Sequence, residues 1–290
     1  MDFSKAFDCI PRDILLTKLI DQGITGKVFS ILENIYKYDT ACVKIDGKLS
    51  PEFKIHAGLR QGCIMSPLLF NIFLSDLPEK LHQGDKVSLN QDVAINCLIW
   101  ADDVIILSET EDGLHSSLQK LNVYCKSNGL TVNTDKTKIM IFNKTGRLLR
   151  GNYYLKNEKI ENVRSYKYLG LIFTPSGEIK SALDDLRSRA LKAYMGMRQK
   201  LGEIFSRHIE ETTKIFDTLI KSILLYSSDF WGCLKLPVNN PIENLHMMFC
   251  KHLLGVHKST TNDGVLLELG MLPLVFDAQK AAVKKLGENT

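Results

Sequence analysis

Two adjacent carboxylates, Asp102 and Asp103, sit between two runs that otherwise read as buried strand: Cys97-Leu98-Ile99-Trp100-Ala101 before them and Val104-Ile105-Ile106-Leu107 after. That pattern predicts a strand–turn–strand hairpin with both acids at its tip. Two readings of the tip are open. Asp is a favoured turn residue, so the pair is accounted for by a polar turn alone. Carboxylates are also hard oxygen ligands suited to Mg²⁺ or Mn²⁺, and a hairpin tip aims both into a cleft, which is the arrangement of a metal site. The remainder of the chain has to decide between them.

The flanking periodicity predicts a mixed unit followed by a helical one. A helical pattern runs from about Pro11 to Tyr38, with Leu15, Leu16, Leu19 and Ile20 on one face. Thr40 to Ile55 alternates around Asp46-Gly47, a hairpin turn signal. Pro67 to Leu81 has Pro at its start and a dense apolar face, so it reads as a buried helix. The acidic hairpin spans about Val93 to Ser108, and Glu111 to Ser127 is an amphipathic helix closed by Asn128-Gly129. Thr131 to Phe142 reads as strand with a polar interruption, and two β segments follow, Tyr153 to Val163 and Tyr166 to Phe173. From Glu178 strand signals fade, and helices are predicted over about Glu178 to Leu201, Ile209 to Phe230, Ile242 to Leu254 and Val275 to Lys285, with a break from Leu234 to Pro241.

Composition bounds the class. With 290 residues, 44% hydrophobic and 24% charged, the chain is long enough for a substantial core and more than one structural unit. Its net charge of +4 is compatible with a polyanionic partner but too mild to establish one. The seven cysteines are odd in number and contain no C-x-x-C pair, which argues against a disulfide framework and for a reducing, intracellular setting. Cys233, His246, Cys250 and His252 can be drawn as a zinc site, but their spacing is unlike structural zinc patterns, and core cysteines with helix-surface histidines are the expectation. No apolar run is long enough to cross a membrane, and the first residues lack the apolar core of a signal peptide.

The first candidate partner for the paired acids is Asp2, in Asp2-Phe3-Ser4-Lys5-Ala6-Phe7-Asp8. Three carboxylates can bind two divalent ions, the set a two-metal polymerase needs for in-line displacement. Asp8 is expected to be a helix N-terminal charge. Further segments follow in order: Gly58-Leu59-Arg60-Gln61-Gly62-Cys63-Ile64-Met65-Ser66-Pro67-Leu68-Leu69-Phe70-Asn71, Trp100-Ala101-Asp102-Asp103, Gly129-Leu130-Thr131-Val132-Asn133 through Lys136-Thr137-Lys138, and Tyr168-Leu169-Gly170. With the first, these resemble motifs A to E of reverse transcriptases, most nearly those of non-LTR (LINE-type) retrotransposons. The resemblance covers residues 2 to 170, and less specifically the segments around Leu224 to Gly232 and Phe249 to Val256.

The resemblance implies an α+β fold: a polymerase palm with an antiparallel sheet and packed helices over 1–175, an all-helical thumb-like region over 176–255 and a C-terminal connection over 256–290. It implies that Asp2, Asp102 and Asp103 are the catalytic metal-binding acids for two Mg²⁺ or Mn²⁺ ions. Phe7 matches the aromatic steric gate that crowds a ribose 2′-hydroxyl, with a core aromatic in the first turn of a helix as the alternative. Gln61 and Gly62 match the nucleotide-binding loop, where Gly58 and Gly62 would allow close backbone approach. Lys136 matches the lysine near the leaving pyrophosphate, and Tyr168, Leu169 and Gly170 match the primer grip. Seven basic residues from Lys136 to Lys159 face one acid, Glu158, and could track a phosphate backbone.

The partners so implied are an RNA template, a DNA primer and deoxynucleoside triphosphates. Two departures stand out. Trp100 replaces the usual Tyr or Phe, and the fingers motifs that normally lie upstream of Asp2 have only Met1 before it, so the expectation is an N-terminally truncated palm and thumb. Three functional classes follow: an RNA-directed DNA polymerase domain, a non-catalytic remnant that keeps the fold and some nucleic-acid affinity, and an unrelated metal-dependent phosphoryl-transfer enzyme.

Overall fold

The computed structural model describes residues 1–288 other than 82, 84 and 238. The chain divides into two compact units, Met1–Ile141 with Leu148–Val163, and Phe142–Arg147 with Arg164–Thr290. Its composition of packed helices and small sheets is the α+β class expected of a palm followed by a helical region.

The first unit packs the helices Arg12–Asp21, Gly26–Lys37, Ser66–Leu74 and Glu111–Ser127 with short strand pairs around one apolar core. Ile10, Leu15, Leu19, Phe70, Phe73 and Val104 at its centre are fully removed from solvent. The single helix expected from Pro11 to Tyr38 is two. Arg12–Asp21 closes when the Ile24 N–H donates to the Leu19 carbonyl (2.9 Å), which needs the left-handed backbone at Gly23, φ +77°. The apolar spacing carries across the break, which is why it reads as continuous. The helix expected from Pro67 to Leu81 is likewise divided, into Ser66–Leu74 and Leu77–Lys80, because Pro78 supplies no N–H to a continuing helix.

The Asp46-Gly47 turn forms as expected. Both residues have positive φ, +49° and +80°, between Lys44–Ile45 and Lys48–Leu49. Glu111–Ser127 starts on Thr110, whose hydroxyl accepts the Gly113 N–H at 3.0 Å. The strand expected from Thr131 to Phe142 is reduced to a bridge at Val132 and the pair Lys138–Ile139, which runs parallel to Glu161–Asn162; the other ladders are antiparallel.

The second unit is mainly helical, with one hairpin, Tyr166–Tyr168 against Leu171–Phe173. Its core centres on Tyr194, whose ring meets Phe205, Phe216 and Phe249 edge-on, while Phe216 and Phe249 stack at 3.8 Å. The long Lys180–Leu201 helix lies close to its expected span. The helix expected from Ile209 to Phe230 is instead Ile209–Phe216, a π-helical turn Asp217–Lys221, Ser222–Leu224 and, past a left-handed Ser227, Ser228–Trp231. Pro241–Leu254 begins on Asn240, whose side chain accepts from Ile242 and Glu243, each at 3.0 Å. Leu274–Gly287 covers the last expected helix, and Asn262–Leu269 is a further helix that periodicity did not indicate.

Candidate active site

The acidic hairpin pairs Cys97–Trp100 with Asp103–Ile106, and Trp100 stands directly opposite Asp103. Ala101 and Asp102 form its two-residue turn. Ala101 takes φ +51°, a left-handed conformation that suits glycine better, so local strain is concentrated beside the acids. Trp100 itself is 66% exposed.

Asp2 reaches the same place because its backbone is tied on both sides. On one side the Met1 nitrogen donates to the Val104 carbonyl (2.8 Å) and the Val104 N–H to the Met1 carbonyl (3.3 Å). On the other the Asn133 N–H donates to the Asp2 carbonyl (2.8 Å), and the Ser4 N–H to the Thr131 carbonyl (2.8 Å). The segment Met1–Ser4 therefore lies as a strand-like strip between the acidic hairpin and the segment preceding Lys136.

Electrostatics register the convergence. Partial burial first, then the Asp102 carboxylate and that of Asp2, push the Asp103 carboxyl above its ordinary value, with the Met1 ammonium opposing them. Burial lowers the Met1 ammonium, against the pull of Asp103 and Asp2.

Lys136 lies 3.6 Å from an Asp2 carboxylate oxygen. The turn that carries it is fixed by Asn133, whose side chain accepts the Lys136 N–H (3.2 Å) and whose carbonyl accepts the Thr137 N–H (2.9 Å). The buried Thr137 hydroxyl in turn accepts the Asp2 N–H at 3.3 Å. The motif resemblance includes Asn133 and Thr137 but gives neither a role.

Phe7 is half-buried and stacks on Phe70 at 4.8 Å. It sits in the turn that follows Phe3, not in the first turn of a helix, since Arg12–Asp21 begins five residues later. The same geometry corrects the reading of Asp8 as a helix N-terminal charge: Asp8 is exposed and accepts the Gln61 side-chain N–H at 2.8 Å. Gly58 makes this approach feasible. It has φ +87°, and a Cβ there would lie 2.7 Å from the Asp8 carbonyl oxygen. The Leu59 N–H donates to the Phe7 carbonyl (2.7 Å), so the Gln61 loop is docked on the Phe7 turn. Gly62 also has positive φ, +81°, but faces open space.

Beneath that loop lies a network the sequence reading missed. Arg12 donates to the carbonyls of Gly58 (3.0 Å), Tyr36 (2.9 Å) and Ile55 (2.6 Å) and to Asp39 (2.6 Å), and Arg60 holds the other Asp39 oxygen. Its only sequence signals were an Arg in an otherwise apolar helix face and an Asp at a helix end.

Tyr168, Leu169 and Gly170 belong to the second unit. Leu169 (φ +44°) and Gly170 (φ +81°) form the turn of the Tyr166–Phe173 hairpin. The Leu169 carbonyl accepts the Tyr226 hydroxyl (3.0 Å) and the Gly170 carbonyl accepts Arg189 (3.1 Å).

Besides Lys136, two basic residues of the 136–159 stretch are engaged within the first unit: Lys138 pairs with Glu161 at 2.6 Å, and Lys159 donates to Asn152 at 2.8 Å. Among the described residues, the four drawn as a zinc site do not form a metal-holding group. His246 is buried against Glu243, His252 is bonded to Tyr194, Cys250 is in the core and Cys233 is exposed. His246 thus departs from the helix-surface expectation.

The carboxylate donor set has the hardness that Mg²⁺ and Mn²⁺ favour. Among the described residues no three acids, histidines or cysteines are already gathered into a cage that could hold an ion, and the Asp2 carboxylate is paired with Lys136.

Residues 1–173 match the family described as reverse transcriptase (RNA-dependent DNA polymerase). The chain belongs to that family, and the third reading, an unrelated phosphoryl-transfer enzyme, falls away. Its relatives place it with the LINE-type, non-LTR members. It is 26% identical over 198 residues to the Pol polyprotein of the type-1 retrotransposable element R2 of Popillia japonica, covering 64% of this chain and 32% of that protein. It is 29% identical over 192 residues to that of the type-2 element R2DM of Drosophila melanogaster, covering 62% of this chain and 18% of that protein. The RNA-directed DNA polymerase from mobile element jockey of Drosophila funebris is 22% identical over 301 residues, covering 100% of this chain and 31% of that protein. The chain thus spans about a third or less of the length of these curated relatives. The family uses divalent metal ions, a nucleic-acid template and primer, and deoxynucleoside triphosphates. Among the described residues no helix is long and apolar enough to cross a membrane.

Proposed function

We propose that this chain is the palm (1–175), thumb-like region (176–255) and connection (256–290) of an RNA-directed DNA polymerase; residues 289 and 290 lie outside the described residues. The observation that carries the reading is the strip Met1–Ser4, hydrogen-bonded to the acidic hairpin on one side and to the Lys136 segment on the other. It brings three acids and a lysine that are distant in sequence to one edge of the fold.

On this reading Asp2, Asp102 and Asp103 hold two Mg²⁺ or Mn²⁺ ions. Bound there, such ions supply activation of the primer 3′-hydroxyl and neutralisation of the triphosphate. The residues of the chain do the rest. Phe7, backed by Phe70, closes the space a ribose 2′-hydroxyl would need and so favours deoxynucleotides. Gln61 and Gly62 border the incoming nucleotide, with the loop held in register by Gly58 and Asp8. Lys136 delivers a proton towards the leaving pyrophosphate. Tyr168, Leu169 and Gly170 hold the primer, through a turn buttressed by Tyr226 and Arg189.

A non-catalytic reading has one observation in its favour: the acids are not gathered into a cage among the described residues. Primer extension on an RNA template with Mg²⁺ or Mn²⁺ separates the two. Extension by the unmodified chain that is lost in Asp102→Ala supports the polymerase. Template–primer binding without extension supports the non-catalytic reading.

A further inference from the structure

We infer that Lys136 and a divalent ion compete for Asp2, so that metal binding displaces the lysine from the carboxylate and releases it towards the reacting phosphate. The inference rests on the reading of Asp2, Asp102 and Asp103 as metal ligands.

The geometry has two parts. The base of Lys136 is fixed beside Asp2. Asn133 accepts its N–H and donates to the Asp2 carbonyl, while the neighbouring Thr137 hydroxyl accepts the Asp2 N–H. Its ammonium, by contrast, ends a long flexible stem that is 69% exposed, and it meets Asp2 at 3.6 Å with no second ion-pair partner among the described residues. Among the described residues no other side-chain cation forms an ion pair with Asp2, Asp102 or Asp103. The lysine is therefore the side-chain cation set against Asp2, while the Met1 ammonium opposes the repulsion felt at Asp103.

A divalent ion carries twice the charge and binds carboxylate oxygen directly, so it outcompetes an exposed ammonium at the same atom. The exchange leaves Lys136 unpaired at the end of a pinned turn, free to swing. Its availability as a proton donor is thereby tied to an occupied site, since in the absence of metal it is engaged by Asp2.

An exposed pair of this kind is weak, so the expected competition is about two- to fivefold in metal affinity. The test is Mn²⁺ titration of the full chain, following free Mn²⁺ by electron paramagnetic resonance. The unmodified chain is compared with Lys136→Gln, Lys136→Arg, Lys138→Gln and Asp102→Ala. Lys138 carries the same charge two residues on but pairs with Glu161, so it controls for general electrostatics.

The inference expects Lys136→Gln to bind Mn²⁺ two- to fivefold more tightly, with Lys136→Arg and Lys138→Gln close to the unmodified chain. Unchanged affinity in Lys136→Gln, or an equal gain in Lys138→Gln, overturns it. Failure of the underlying metal reading is recognised separately: Asp102→Ala would then bind Mn²⁺ as well as the unmodified chain, or no variant would bind.

Discussion

Arg12 and Asp39 form an ion pair at 2.6 Å, with 9% and 5% of their side chains exposed, directly beneath the loop that presents Gln61. Burial opposes ionisation of Asp39, but hydrogen bonds from Arg60 and Arg12 outweigh it and hold the carboxyl below its ordinary value. Removing one partner leaves an uncompensated buried charge, so Asp39→Ala is expected to cost about 3–5 kcal/mol. Because the folded-state value is depressed, the stabilisation is complete above the unfolded value of 3.8 and is lost as pH falls through the lower folded value. Urea unfolding at pH 7, 4.5 and 3 checks both points. An acid-induced loss of the same size in Asp39→Ala as in the unmodified chain would contradict the account.

Gly58→Ala combines a left-handed backbone with a Cβ 2.7 Å from the Asp8 carbonyl oxygen, against backbone that cannot step aside cheaply. It is expected to destabilise the first unit by more than about 1 kcal/mol and to loosen the Gln61 loop. Hydrogen exchange at the Leu59 N–H, bonded to the Phe7 carbonyl at 2.7 Å, reads that loosening. Gly62→Ala, with open space around its Cβ, provides the comparison at similar φ.

Asp103→Asn should stabilise the fold near neutral pH while abolishing primer extension. The ionised carboxylate is disfavoured by partial burial and by Asp102 and Asp2, so replacing it with a neutral isostere relieves repulsion. Solvent screening limits the gain to about 0.5–1 kcal/mol. Thermal denaturation at low salt measures it, and a lower Tm than that of the unmodified chain would count against the convergence of the acids.

Phe7→Ala opens the space over Phe70 and should raise ribonucleotide use relative to deoxynucleotide by on the order of ten- to a hundredfold. Single-nucleotide incorporation kinetics with paired dNTP and rNTP substrates is the measurement. An unchanged ratio would assign Phe7 to packing alone, in keeping with its 4.8 Å stack.

In the second unit, Gly170→Ala would drive a Cβ to 2.8 Å from the Tyr226 ring at φ +81°. Tyr226→Phe only removes the hydrogen bond to Leu169, worth about 0.5–1.5 kcal/mol. The glycine variant is therefore expected to be the more destabilised of the two in calorimetry of the full chain. The reverse order would mean that the turn is not pressed against that ring.

The acidic hairpin, its strand pairing and the helix that follows were legible because each is encoded locally. Two apolar runs flank a turn, and Asn128-Gly129 closes one amphipathic stretch. Helix breaks were poorly legible: the Pro11 to Tyr38 and Ile209 to Phe230 patterns run through their interruptions, since apolar spacing reports which face is buried and not whether the axis continues. Asp8 was misread for a related reason. Its role depends on Gln61, fifty-three residues away, and no local signal announces that bond.

From sequence alone came the family, the order of its motifs and the identities of Asp2, Asp102, Asp103, Phe7, Gln61 and Lys136 as the residues to watch. Tertiary structure decided what holds them: the strip from Met1 to Ser4 bonded on both sides, Asn133 and Thr137 pinning the lysine turn, and Arg12 with Asp39 under the Gln61 loop. The division is physical. A motif records which side chains a site contains, whereas long-range hydrogen bonds and buried ion pairs record how the backbone is brought together, and their partners are chosen only when distant segments meet.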